Sequence, residues 1–165
     1  MGETSLVVRT FVIRRALTGF PVARNILAHS GLLLFQEDGR YFTLERLDGS
    51  SGIRCEQIQI QVLKTFEYYQ SIRMDDLVWT KQRHGQAVMG HRTVEEVKDF
   101  LTTYAKENPY ESRTQNCHMA QEALRRWLGQ DVPEPTRMVK FANWMGSWIP
   151  QTAMDSSNAR EAHKD

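Results

Sequence analysis

The spacing of apolar residues changes once along this chain, and that change constrains the fold most. Through the first 63 residues the apolar positions form short runs rich in Val, Ile, Leu and Phe, or alternate with polar ones, as half-buried strands do. Leu6 to Arg14 reads as a strand, broken by Gly19-Phe20-Pro21, and a second spans about Ile26 to Phe35. The Asp38-Gly39 pair signals a tight hairpin, which returns Tyr41 to Leu47 antiparallel to that strand. Beyond Asp48 to Gly52, Ile58, Ile60 and Val62 alternate with Gln57, Gln59 and Gln61, the pattern of a fourth strand with one wet face.

The period then becomes helical. Thr93 and Glu96 form a capping box ahead of Val94, Val97, Leu101 and Tyr104, and Asn108-Pro109 ends the pattern. A second helix starts near Asn116 or Cys117, buries Ala120, Ala123, Leu124, Trp127 and Leu128, and stops at Gly129. Thr136 caps a short last helix through Phe141, Trp144 and Trp148. Strands first and helices second imply an α+β fold, an antiparallel sheet packed against helices. The expected organisation is one domain over residues 1–150 and a polar, disordered tail over 151–165.

Charge and cysteine usage exclude several classes of function. With 21 basic and 20 acidic residues mixed along the chain, no phosphate-tracking face is expected, and nucleic acid is not a partner. Two cysteines cannot make a disulfide framework, so a reducing, cytoplasmic setting is expected. The longest apolar run, Gly31 to Phe35, is far below the roughly 20 residues that span a bilayer. The start, Met1-Gly2-Glu3-Thr4-Ser5-Leu6, departs from a myristoylation signal at Leu6. Neither paired-cysteine nor paired-histidine zinc spacing occurs, and no metal or other cofactor is expected.

Cys117 is the candidate nucleophile. It opens a helix, where unpaired backbone N–H groups and the helix dipole favour a thiolate and can hold an oxyanion. Cys55, inside a strand, reads instead as a small buried hydrophobe. Of five histidines, His163 lies in the tail, His118 adjoins Cys117 and points about 100° away, and His84 and His91 sit in a polar loop. His29 lies on an apolar strand, where a polar ring needs a partner, and is the candidate general base.

The elements His29-Ser30-Gly31 and Thr114-Gln115-Asn116-Cys117-His118-Met119-Ala120, with a strand-rich segment between them, resemble the circularly permuted papain-like superfamily, related to NlpC proteins. It includes the PPPDE peptidases, which cleave ubiquitin-like conjugates, and the lecithin:retinol acyltransferase-like acyltransferases and phospholipases. The resemblance covers roughly Val7 to Gly129 and implies a Cys-His hydrolase, with a thiol peptidase or isopeptidase acting on protein substrates as the first reading. It also implies that a polar residue on the strand after the histidine orients the imidazole. Tyr41, Thr43 and Glu45 share a face there. Glu45 is the first choice, and an exposed glutamate paired with Arg46 or Arg54 is the competing reading. Gln115 and Asn116 are candidate oxyanion donors, Asn116 alternatively a helix cap. Two alternatives stay open. One is a lipid enzyme that meets a membrane through Phe141, Trp144, Met145 and Trp148, and the other is a binding module without catalysis.

Overall fold

A computed structural model describes residues 4–16, 28–47, 52–110 and 117–132. Among these residues eight strands precede two helices: β1 Val7–Ala16, β2 Ala28–Gln36, β3 Tyr41–Arg46, β4 Ile53–Ile58, β5 Gln61–Thr65, β6 Tyr69–Met74, β7 Leu77–Gln82, β8 Gln86–Ala87, α1 Val94–Glu107 and α2 Cys117–Trp127. The fold is α+β. The expected last helix and the 151–165 tail lie outside the described residues.

One antiparallel sheet runs in the order β4-β3-β2-β1-β7-β6-β5, and β8 extends the β7 side by pairing with β1. β4 and β5 end this order, yet only Gln59 and Ile60 join them. Six strand spacings would put the ends of a flat sheet about 29 Å apart, whereas the chain from Ile58 to Gln61 reaches at most about 11 Å. The sheet therefore curls until its two ends approach. This corrects the fourth strand expected from the Gln57 to Val62 alternation: the segment leaves one sheet edge at Ile58 and enters the other at Gln61. Strands β6 and β7 carried no reading, and β8 falls within the stretch around His84 and His91 that reads as a polar loop, where its two residues pair with β1.

Curling gives the sheet two apolar faces. On the concave side Phe11, Ile13, Leu33, Ile72, Met74 and Trp79 form one core. On the convex side Val7, Leu32, Leu34 and Leu44 meet Val97 and Leu101 of α1 and Ala120, Leu124 and Leu128 of α2. Leu32, Leu33 and Leu34 are all buried because β2 is covered on both faces.

The helix ends follow their local chemistry. Thr93 caps α1 with the reciprocal Glu96 bond, and the Asn108 N–H closes onto the Tyr104 carbonyl. After α2, Gly129 adopts φ +72, a conformation that favours glycine, while its N–H and that of Gln130 return to the carbonyls of Arg126 and Arg125.

Candidate active site

Cys117, Ala120, Leu124 and Leu128 recur at three- and four-residue steps, so one stripe of α2 aims the cysteine at the sheet on which its apolar partners pack. The thiol is buried, 1% exposed. β2, an interior strand, presents His29 on the face that Leu33 shares by alternation. Cys117 and His29 lie close enough for each to shift the other's titration, and the Ser30 backbone N–H acts on the same sulfur.

Glu45 reaches the same ring from β3. Its carboxylate Oε1 lies 2.9 Å from Nε2 of His29, and both side chains are fully buried. That contact leaves Nδ1 for the thiol. The exposed-glutamate reading is overturned: Arg54 pairs with Glu56 and Asp75, and Arg46 donates to the Asn108 carbonyl. Thr43 shares the concave face, but its buried hydroxyl has no partner and does not orient the ring.

The Glu45 approach depends on Gly31, its direct cross-strand neighbour. A methyl group at Gly31 would meet Glu45 Cγ at 2.9 Å and the Leu44 carbonyl at 3.0 Å. Gly31→Ala is therefore expected to destabilise the fold by about 1–3 kcal/mol and to push Glu45 off the imidazole. Urea unfolding checks this, and an unchanged midpoint would show that the missing side chain is not what admits Glu45.

Electrostatics separate the charges in this cluster. Burial works against a charged imidazole and so does Arg15, but the negative sulfur of Cys117 and the hydrogen bonds to Cys117 and Glu45 outweigh them, raising His29 from 6.5 to about 9. Burial likewise opposes ionisation of Cys117, yet the facing imidazolium, its hydrogen bond, the Ser30 N–H and Arg15 hold the thiol below its ordinary value. Glu45 is also held low: burial raises it, and the bond to His29 and the charges of His29, Arg15 and Arg54 prevail. Cys55 shows the opposite behaviour. Half-buried against the convex core, it is pushed up to about 11 chiefly by desolvation.

Two residues of this cluster went unforeseen. Arg15 is the direct partner of His29 in the β1 and β2 ladder, and its guanidinium sits 5.1 Å over the Trp79 ring, which meets the His29 ring edge-on at 6.2 Å. The alternation of Phe11, Ile13 and Arg15 on one strand face was the available signal for Arg15. Trp79 lies on β7, a strand without a sequence reading, and had none.

His84 and His91 are exposed and remote from this chemistry, and Gln115 and Asn116 lie outside the described residues, as do Phe141, Trp144, Met145 and Trp148. Among the described residues no group of three His, Cys, Asp or Glu side chains is placed to hold a metal ion, and no helix is long and apolar enough to cross a membrane. A scan against protein-family models matches no family, and searches of curated proteins and of solved structures give no match.

Proposed function

We propose that the chain is a thiol hydrolase of permuted papain-like fold, acting on peptide or isopeptide bonds through Cys117, His29 and Glu45. The observation that carries this reading is the buried relay of nucleophile, imidazole and carboxylate, assembled from α2, β2 and β3. A carboxylate and a histidine inside an apolar core are costly to keep for packing alone, whereas the relay gives each a partner.

The proton starts on His29, so the thiolate is ready before substrate arrives. Its sulfur attacks the acyl carbon, and the carbonyl oxygen becomes an oxyanion held by backbone N–H groups at the start of α2, with Gln115 and Asn116 as further donors. As the C–N bond breaks, the imidazolium gives its proton to the departing amine. Neutral His29 then takes a proton from water, whose oxygen displaces the sulfur from the thioester. Acid and thiolate separate, and His29 is again protonated. Glu45 holds the ring in place and keeps a negative charge beside the imidazolium throughout.

Ubiquitin-like conjugates belong to the proposed substrate class, and two free cysteines fit a reducing, cytoplasmic setting. A lipid acyltransferase would use the same relay on an ester. Incubation with a ubiquitin-like vinyl sulfone and with a lipid-analogue probe separates the two: the former is expected to modify Cys117 and the latter to leave it unmodified. Modification by the lipid probe alone would overturn the peptidase reading, and none by either would leave a binding module.

A further inference from the structure

On the convex side of the sheet, α1, the end of β3 and the start of β4 line an open cavity of about 610 Å³. Its walls combine apolar and aromatic groups such as Ile53 and Tyr110 with three cations, Arg46, Lys98 and Lys106. None of its described lining residues is acidic. Lys98, Thr102 and Lys106 follow one another at four-residue steps and so form one stripe of α1, about 12 Å long.

Arg46 is the feature that points to a ligand. It is 4% exposed, its Nη2 donates to the Asn108 carbonyl, and its guanidinium stacks over the rings of Tyr104 and Tyr110. Its Nη1 is buried and has no hydrogen-bond partner. A guanidinium fixed by one bond and two rings, with its second arm unsatisfied beside two lysines, is a preorganised receptor for a planar anion. Arg46 follows Glu45 on β3, so the cavity lies one residue along the strand from the relay carboxylate, on the other face of the sheet.

We propose that this cavity binds a carboxylate side chain of an acidic peptide segment flanking the bond to be cleaved. The inference deepens the thiol-hydrolase reading and rests on it for the link to cleavage. The carboxylate pairs with the Arg46 guanidinium at the cavity wall, and the lysine stripe of α1 attracts further acidic residues along the segment.

Binding is measured by fluorescence anisotropy on the full chain, with fluorescein-labelled hexaglutamate and hexaglutamine as probes and with inorganic phosphate and phosphatidylserine vesicles as competitors. Hexaglutamate is expected to bind roughly tenfold or more tighter than hexaglutamine, and Arg46→Gln to remove that preference. Because Arg46 also ties β3 to the end of α1, the double variant Lys98→Gln/Lys106→Gln, on a solvent-facing stripe, provides a second test and should weaken hexaglutamate by several-fold. Equal affinity for the two peptides overturns the proposal, as does affinity that neither variant changes. Displacement of hexaglutamate by phosphate or vesicles at concentrations below those of the peptide would assign the site to a phosphate group instead and overturn it as well. The readout is binding, so the proposal can fail while Cys117 proves reactive, and an inert Cys117 removes only the link to cleavage and leaves the acidic-segment site.

Discussion

Titrating the thiol of Cys117 in a Cys55→Ser background is expected to give a thiolate midpoint well below the roughly 8.5 of an ordinary cysteine, and His29→Ala is expected to move it above that value. The reason is the balance of opposing effects at the sulfur. Burial alone disfavours the thiolate, and the imidazolium, with its hydrogen bond, is the largest influence that favours it. Without the ring, desolvation is left to dominate, as it already does at Cys55. Ultraviolet absorbance of the thiolate is the direct measurement, because a thiol 1% exposed also limits an alkylating reagent by access. With iodoacetamide near pH 6, Cys117 of the unaltered chain should still outpace Cys55 by about tenfold or more, and lose that lead in His29→Ala. A Cys117 midpoint indifferent to the loss of His29 would end the catalytic reading and leave the cysteine a core residue at a helix start.

Replacing Glu45 with Gln is expected to bring the His29 midpoint down from about 9, read by NMR of the imidazole, and to lower hydrolysis by about a hundredfold or more. The variant keeps the shape and a hydrogen-bonding oxygen but removes the charge that supports the imidazolium. The pH dependence has a defined sign at each group. His29 is raised in the folded chain, so its contribution to stability is full below 6.5 and lost as pH rises through about 9. Cys117 is lowered, so its contribution is full above 9.0 and lost as pH falls through its folded value. Where the two titrations overlap below 9 the slopes oppose each other, so this pair damps the dependence of stability on pH. Glu45 is lowered too: its contribution is present above 4.5 and disappears as acid protonates it. Urea unfolding across pH should therefore show the unaltered chain more stable than Glu45→Gln above 4.5, with the gap closing in more acidic solution. A constant gap would mean that the Glu45 charge does not serve the relay.

Much of the scaffold was legible because its signals are local. The Thr93 capping box, the Asp38-Gly39 turn and the Gly129 stop each act within a few residues, and the structure puts a helix start, a hairpin and a helix end there. Placing Cys117 at a helix start and His29 on an apolar strand needed only the same short-range patterns. Where the reading failed, at Gln57 to Val62, the alternation was continuous while the chain passed between two sheet edges. Period two reports that neighbouring side chains point to opposite sides, and it is silent on which strand lies alongside.

Tertiary structure decided the rest through register and curvature. Glu45 reaches His29 diagonally because β3 pairs with β2 two residues away at Gly31, where no side chain intervenes. Arg15 and Trp79 join the cluster because β1 lies between β2 and β7 and the concave face collects one residue from each. Residues at positions 15, 29, 45, 79 and 117 carry no mutual signal in a single sequence. Their charges act on one another only after folding has removed the water between them, and that is why residue types, helix ends and a favoured thiolate at Cys117 could be read in advance while the balance of influences at each group could not.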